Sequence, residues 1–296
     1  FGWTEVYDSP SNAGSGKGLR PALAILSAEA VGAAGATAVP GAVATELVHN
    51  FSLIHNDIQD GSPERYHRPT VWWVWGPAQG INAGDGMHAL ARLSLLRQTE
   101  NGMPSEKALR AVAILDTACL RLCEGQYLDL TYQERVDISQ DAYFQMVEGK
   151  TAALMGCATE LGALMAAADD KAVQAMSLFG RKLGMACQVQ DDILDLWGSE
   201  NTKVPPAGSL LNKRKSLPIV YALQNATGAE KHALGDVYFK RVMDPEDIEK
   251  IIGVLDSLGA REFSQEMADT LCQEAIQALD EAGASAQGID DLSSVA

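Results

Sequence analysis

Two acidic clusters each close a long apolar stretch, and this placement restricts the folds open to the chain. The first cluster spans residues 55–60 and ends the apolar segment that begins at Leu47. The second spans residues 188–195 and ends the apolar segment that begins at Leu183. Carboxylates that continue an apolar stripe into a core repel one another and lose hydration unless a cation joins them. The clusters therefore favour cation sites over a solvated acidic face, which is the usual meaning of such a run.

The oxygen atoms of the two clusters suit a hard divalent cation. Asn56 and Asp60 lie four residues apart, as do Asp191 and Asp195, so each pair shares one face of a helix. Magnesium commonly uses one or two carboxylates together with substrate phosphates. Two such sites facing each other would hold a diphosphate between them. The predicted metal ligands are Asn56, Asp57, Asp60, Asp191, Asp192 and Asp195.

The spacing of apolar residues predicts an all-α chain. Nine Ala- and Leu-rich segments carry apolar residues three to four apart: 20–33, 41–60, 78–98, 105–131, 140–167, 170–197, 215–225, 246–256 and 261–282. Ser139 and Asp244 are predicted helix N-caps, and Pro245 then falls at the first helical position. No linker or fixed repeat divides the chain, so we predict one domain over residues 1–296, built as a large bundle. The residues after 283 are predicted to form a mobile tail.

Net charge and cysteine content limit the classes of function. A net charge of -16 disfavours general binding to nucleic acid or to anionic membranes, because both need a basic face. The sequence has no run of eighteen apolar residues and no signal-peptide pattern, so we expect no transmembrane segment. Five cysteines spread through apolar stretches indicate a reducing, cytoplasmic setting. Cys119 and Cys123 are predicted to be buried thiols rather than zinc ligands, and His88 has no matching ligand set.

Basic residues recur beside the acidic clusters. They could be ordinary surface charges, but their repeated placement favours an anion site. The glycine-rich segment around Lys17 is not a P-loop, because Gly18 occupies the position of the Ser or Thr that would meet magnesium. The candidate anion-binding residues are Lys17, Arg20, Arg65, Arg68, Lys150, Lys203 and the run 213–215.

In combination, these motifs resemble the trans-isoprenyl diphosphate synthases of the polyprenyl synthetase family. The resemblance runs from about Gly14 to Leu223 and covers most of the chain. Residues 16–21 resemble the family's GKRxRP element, residues 56–60 its first aspartate-rich motif DDxxD, and residues 65–70 its RRGRPT element. Further matches are 84–85 to AGD, 125–129 to GQxxD, 150–151 to KT, 188–195 to QxxDDxxD, and 203 with 213–218 to the lysine-rich loop.

The resemblance implies a bundle of long helices around a central cavity, usually in a homodimer, that condenses an allylic diphosphate with isopentenyl diphosphate. It implies three Mg²⁺ ions that bridge the acidic motifs and the allylic diphosphate. Isopentenyl diphosphate would be held by Lys17, Arg20 and His49. The leaving diphosphate would be stabilised by Arg65, Lys150, Lys203, Arg214 and Lys215. Thr151 and Gln188 would direct oxygen dipoles at the allylic cation, so no side-chain nucleophile is required.

Departures from the family pattern leave two alternatives open. Asn56 replaces the first Asp of the first motif, while Tyr66 and Gly18 replace basic residues that serve isopentenyl diphosphate. A terpene synthase would ionise an allylic diphosphate without isopentenyl diphosphate, but the second motif lacks the N-x-x-x-S/T-x-x-x-E pattern typical of bacterial cyclases. A non-catalytic partner subunit of a heteromeric synthase is the other alternative. Against it, five of the six motif positions remain acidic.

Phe51 is the residue that the resemblance assigns to product length. It lies five residues before Asn56, in the neighbourhood that forms the floor of the family's product cavity. Because a bulky ring shortens an apolar pocket, we expect a product of about C15 to C20. Phe51→Ala should therefore lengthen the product, which chromatography of the dephosphorylated alcohols would measure. An unchanged chain length would contradict this assignment.

Overall fold

Amphipathic helices form nearly all of the described chain. The computed structural model describes residues 18–66, 68–198, 208–238, 240 and 244–295. The helices are α1 Leu19–Ala30, α2 Val39–Gln59, α3 Val71–Trp75, α4 Pro77–Leu96, α5 Ser105–Tyr132, α6 Gln140–Val147, α7 Ala153–Met165, α8 Asp170–Trp197, α9 Gly208–Leu211, α10 Leu217–Asn225, α11 Gly228–Tyr238, α12 Pro245–Ser257, α13 Ala260–Glu281 and α14 Ala286–Ser293. Two short strands, β1 Glu64–Arg65 and β2 Arg68–Pro69, pair antiparallel after α2. The predicted all-α class is confirmed.

The helix ends follow the predicted capping residues. The Ser139 side chain accepts a hydrogen bond from the backbone N–H of Ala142 and so begins α6. Asp244 and Asp247 form a reciprocal capping box at the start of α12, where Pro245 occupies the first turn. Both predicted caps are therefore confirmed.

Two predictions about chain segments were wrong. Segment 140–167 is not a single α-helix, because a π-helical turn, Glu148–Ala152, separates α6 from α7. The residues after 283 are not a mobile tail, since α14 is capped by Ser285 and buries Leu292. Gly288 lies so close to Ala30 that a Cβ would collide with it, which anchors α14 against α1.

The described chain divides into two compact units. The first comprises the residues up to Cys119, together with Cys157–Ser177 and Leu279–Val295. Its helix α2 carries the first acidic cluster and packs along α4. A Cβ at Gly84 would collide with the His55 ring, so glycine permits α4 to approach the acidic end of α2.

The second unit comprises Leu120–Gly156 and Leu178–Ala278. Helix α8 carries the second acidic cluster and buries Val189, Ile193 and Leu196. Val189 and Ile193 belong to an apolar cluster with Tyr143 and Leu217, and Leu196 belongs to a second one with Ile219. Burial of one face of α8 fixes the rotation of the helix and therefore the direction of its acidic residues. The prediction of one domain over the whole chain stays a prediction.

Candidate active site

The first acidic cluster ends α2 with one buried carboxylate and two more accessible oxygen-bearing side chains. Asp57 is buried, and its Oδ1 accepts a hydrogen bond of 2.7 Å from Arg65 Nε on β1. Burial raises the pKa of Asp57, and the Arg65 guanidinium opposes that rise. Asp60 is exposed at the C-cap, and Asn56 is partly exposed. Arg65 thus orients the middle carboxylate of the motif, while its outer members face towards solvent.

Arg20 and His49 meet in the first unit, as expected for a shared anion site. Arg20 Nη1 lies 3.4 Å from His49 Nε2. Burial is the main cause that lowers the pKa of His49 to about 3, and the charges of Arg20 and Arg65 contribute. The imidazole is therefore uncharged at neutral pH and can accept a hydrogen bond from Arg20. Lys17, the third residue predicted for this site, lies outside the described residues.

Phe51 lies on α2 within a group of aromatic rings. It is buried, and its ring centroid lies 5.5 Å from that of His55 and 5.2 Å from that of His88. His88 belongs to α4, so these rings join the two helices. The geometry fixes where Phe51 lies, whereas its role in product length stays a prediction.

The second unit contains a cavity of about 330 Å³ at the end of α8. Its lining combines four carboxylates with three cationic side chains and a few apolar groups. The lining residues are Asp129, Tyr143, Met146, Val147, Lys150, Gln188, Asp191, Asp192, Asp195, Arg214, Lys215 and Ser216. Seven residues predicted from the sequence therefore meet here: Lys150, Gln188, Asp191, Asp192, Asp195, Arg214 and Lys215. Lys203, an eighth predicted residue, lies outside the described residues.

The Asp192 carboxylate is held by donors from three elements. Its Oδ2 accepts hydrogen bonds from the Tyr143 hydroxyl at 2.6 Å and from the Leu217 backbone N–H at 2.8 Å. Its Oδ1 accepts one from Gln188 Nε2 at 3.0 Å, and Gln188 Oε1 accepts one from Thr151 Oγ1 at 2.7 Å. Burial raises the pKa of Asp192 to about 6, although these hydrogen bonds act in the opposite direction. The contacts favour a positioning role for Asp192, and its predicted metal contact stays a prediction.

Asp191 and Asp195 are the carboxylates of the second cluster that lie four residues apart on α8. Asp191 is exposed and Asp195 is partly exposed, and both line the cavity. Oxygen donors that are open to solvent, four residues apart on one helix, fit Mg²⁺, which keeps several waters and binds through one or two carboxylates. The residues present therefore fit the metal that the acidic motif implies.

Lys150 is positioned by the π-helical turn and by Asp129. Its Nζ donates to the buried Oδ2 of Asp129 at 2.6 Å. Gly125 of α5 lies against this turn, and a Cβ there would collide with the backbone nitrogen of Lys150. Asp129 and Tyr143 were not predicted as site residues, although the GQxxD element had already marked Asp129. No sequence signal marked Tyr143, because its partner Asp192 lies 49 residues away.

Lys215 is a buried lysine in the lining of the cavity. Its Nζ donates to the backbone oxygens of Gln133 at 3.1 Å and Lys213 at 2.8 Å. Burial, followed by the charge of Lys213, lowers the pKa of Lys215 to about 8, while Asp129 and Glu134 oppose this shift. Lys215 thus stays charged at neutral pH and loses its charge in the mildly alkaline range.

Comparisons with known proteins identify the family. The Polyprenyl synthetase family model matches residues 4–255. The chain belongs to the polyprenyl synthetase family. It is 38% identical over 283 residues to a geranylgeranyl diphosphate synthase of Mycobacterium tuberculosis, covering 95% of this chain and 80% of that protein. It is 41% identical over 230 residues to a (2E,6E)-farnesyl diphosphate synthase of Mycobacterium bovis, covering 77% of this chain and 63% of that protein.

Solved structures agree with that membership. A polyprenyl synthetase from Streptomyces coelicolor A3(2) superposes with a TM-score of 0.91 at 37% identity, covering 100% of this chain and 88% of that chain. The family resemblance and the prediction of a trans-prenyltransferase are therefore confirmed, and the terpene synthase alternative is not favoured. None of the described helices combines the length and the apolar character that crossing a bilayer requires.

We expect substitutions at the hydrogen-bond donor to Asp192 and at Asp191 or Asp195 to have different effects on stability and on the Mg²⁺ requirement. Tyr143→Phe removes one of the hydrogen-bond donors to the Asp192 carboxylate and should lower the free energy of unfolding by about 1.5–3 kcal/mol. It should leave the Mg²⁺ concentration for half-maximal rate unchanged. Asp191→Asn and Asp195→Asn should instead raise that concentration about tenfold or more, with little effect on stability.

The measurements for this prediction are denaturant unfolding and rate against Mg²⁺ concentration. Tyr132→Phe is a matched control, because Tyr132 is also buried but lies outside the cavity lining. An increase in the Mg²⁺ requirement of Tyr143→Phe as large as that of Asp191→Asn would mean that Asp192 ligates the metal directly.

Lys215 generates a prediction about pH. Because its lowered pKa is about 8, the ammonium loses its proton as the pH rises through that value. We expect kcat/KM for the allylic diphosphate to fall about tenfold above this pKa, since a charge-assisted contact is lost. Lys215→Arg should flatten the alkaline limb because guanidinium stays charged. Lys182→Arg, outside the cavity, should keep the wild-type profile, and an unaltered limb in Lys215→Arg would remove Lys215 from this role.

Proposed function

We propose that the chain condenses an allylic diphosphate with isopentenyl diphosphate to give a trans-prenyl diphosphate of about C15 to C20, with Phe51 as the residue proposed to limit its length. The observation that carries this proposal is the cavity of the second unit. It brings Asp191 and Asp195, which suit Mg²⁺, beside Lys150, Arg214 and Lys215, which suit a diphosphate. The relatives' names, geranylgeranyl and farnesyl diphosphate synthase, support the same range of product length.

The proposed cofactor is Mg²⁺, with three ions in all and ligands in each of the two acidic clusters. Asn56 and Asp60 would be ligands in the first cluster, and Asp191 and Asp195 in the second. When bound, Mg²⁺ supplies positive charge that stabilises the departing diphosphate. Asn56 contributes an oxygen without a charge, so we expect weaker metal binding at the first cluster than a carboxylate would give.

The side chains of the second unit prepare the allylic diphosphate for ionisation. Lys150, Arg214 and Lys215 offer positive charge to the diphosphate as the allylic C–O bond breaks and the electron pair moves to oxygen. Asp129 holds the Lys150 ammonium in place through the 2.6 Å ion pair. The Thr151 hydroxyl donates a hydrogen bond to Gln188 Oε1, so the lone pairs of the hydroxyl oxygen can be directed at the allylic cation.

The first unit supplies groups for the second substrate. Arg20, oriented by the uncharged His49, would bind the diphosphate of isopentenyl diphosphate. Lys17 is proposed for the same role. The double bond of isopentenyl diphosphate attacks the allylic cation, a carbon–carbon bond forms, and loss of a proton to the released diphosphate restores the double bond.

We also propose a homodimer. Leu90, Leu93 and Leu96 recur three residues apart on α4 and are 51%, 42% and 37% exposed. Single exposed leucines are ordinary, but a row of them on one helix is typical of a surface that pairs with another molecule. A second copy of the chain is the proposed occupant, and sedimentation equilibrium of the wild type and of Leu93→Glu tests it.

A cytoplasmic setting is part of the proposal. All five cysteines lie in the described part of the chain, and none of them forms a disulfide. Proteins whose thiols stay reduced are typical of the cytosol. The expectation that both cysteines of the Cys119–Cys123 pair are buried was wrong for Cys123, which is exposed.

The proposed reaction is tested by product analysis. Purified protein with Mg²⁺ is given dimethylallyl, geranyl, farnesyl or geranylgeranyl diphosphate, each with and without isopentenyl diphosphate. We expect longer linear diphosphates that form only when isopentenyl diphosphate is present. Asp195→Asn is the matched control, because it retains the shape of the side chain and loses its charge. At the Mg²⁺ concentration that gives the wild type its half-maximal rate, it should form the same product more slowly.

Two other outcomes would contradict the proposal. Hydrocarbons or alcohols made without isopentenyl diphosphate would indicate a terpene synthase. Folded protein with no product from any substrate would indicate a non-catalytic partner subunit.

A further inference from the structure

A histidine, an aspartate and a cysteine converge in the first unit, away from the acidic clusters. His88 lies on α4, while Asp116 and Cys119 lie on α5, three residues apart and therefore on one face. One ligand atom from each, the imidazole nitrogen, a carboxylate oxygen and Sγ, lies within 4.8 Å of the other two. His88 Nε2 is 3.8 Å from Asp116 Oδ1. Three metal-ligating side chains thus point at one volume.

The burial of the three side chains suits a site that a cation can enter. Cys119 is buried, whereas the side chains of His88 and Asp116 are 27% and 35% exposed. The thiol forms the inner end of the site, and the other two groups form an entrance. A partly open site keeps a path for the ion and room for a water ligand.

The Nε2 atom of His88 lacks a hydrogen-bond partner within the described part of the chain. His88 Nε2 is buried and makes no hydrogen bond with any of the residues that the structure describes. A buried polar atom without a partner costs free energy, which a ligand at that atom would recover. This orphaned nitrogen points to a ligand independently of the convergence of the three side chains.

We propose that His88, Asp116 and Cys119 bind a borderline divalent cation of the Zn²⁺ class, with water in the fourth position. The combination of nitrogen, oxygen and sulfur ligands is typical of tetrahedral zinc, and the thiolate disfavours Mg²⁺. A carboxylate and a thiolate together balance the charge of a divalent ion. Metal–ligand bonds of about 2.0–2.3 Å require the three side chains to close by small rotations.

Arg92 competes for the same carboxylate. Its Nε donates to Asp116 Oδ1 at 2.7 Å, and its guanidinium repels an incoming cation. The Arg92 side chain is 44% exposed, so it can turn towards solvent while Asp116 turns to the metal. We therefore expect Arg92→Gln to bind the cation more tightly than the wild type does.

The test uses Co²⁺ as a spectroscopic probe on the full chain, with excess Mg²⁺ present to occupy the acidic clusters. Co²⁺ bound to a thiolate gives a charge-transfer band in the near ultraviolet, which carboxylate sites do not give. We expect this band in the wild type and its displacement by Zn²⁺. His88→Gln and Asp116→Asn should weaken Co²⁺ binding about tenfold or more.

Cysteine variants decide whether Cys119 is the sulfur ligand. Cys119→Ser should lose the band, whereas Cys272→Ser, at a cysteine outside the group, should keep it. Circular dichroism checks that each variant is folded, and the more exposed His88→Gln decides the matter if Cys119→Ser does not fold. A folded wild type without the band, or a band that survives in Cys119→Ser or is unchanged in His88→Gln, would overturn the proposal.

Discussion

The hydrogen bonds to the Asp192 carboxylate are the contacts on which the candidate site of the second unit depends. Tyr143 from α6, Gln188 from α8 and the Leu217 backbone at the start of α10 all donate to one side chain. Burial of a carboxylate is unfavourable without such donors, so the three elements must meet for the charge to be tolerated. Gln188 in turn accepts a hydrogen bond from the Thr151 hydroxyl. The hydrogen bonds that the Asp192 carboxylate requires therefore set the orientation of the uncharged Gln188 and Thr151 side chains.

In the first acidic cluster, an ion pair stabilises the carboxylate that the fold buries. Arg65 holds the buried Asp57, as three hydrogen-bond donors hold Asp192. In the first cluster the middle carboxylate, Asp57, is buried while Asn56 and Asp60 are more exposed, because a helix that buries one face turns residues i and i+4 away from it together. In the second cluster Asp192 is less exposed than Asp191. The spacing of four residues, between Asn56 and Asp60 and between Asp191 and Asp195, thus places the more accessible oxygens of each cluster on one helix face. This placement follows from helical periodicity and applies to each unit by itself.

Much of the fold and part of the site could be predicted from the sequence. Helical periodicity and the caps at Ser139 and Asp244 act over a few residues, and local signals of this kind are visible in one chain. The motif residues around Lys150 and Asp191 could be placed because their pattern resembles a family. Contacts between remote residues could not be predicted. The pairing of Tyr143 with Asp192, and of His88 with Asp116, depends on how helices pack, which single-sequence patterns do not encode.

The charges around the cavity of the second unit favour binding of a divalent metal ion together with the diphosphate. Lys150 and Asp129 neutralise each other as an ion pair, which leaves Asp191, Asp192 and Asp195 facing Arg214 and Lys215. At neutral pH these five side chains carry a small net negative charge, because the pKa of Asp192 is about 6 and that of Lys215 about 8. A diphosphate alone would be repelled, whereas one divalent ion reverses the sign of the local charge. The charge balance therefore suits a metal–diphosphate complex, in which Arg214 and Lys215 would be the cationic contacts to the diphosphate.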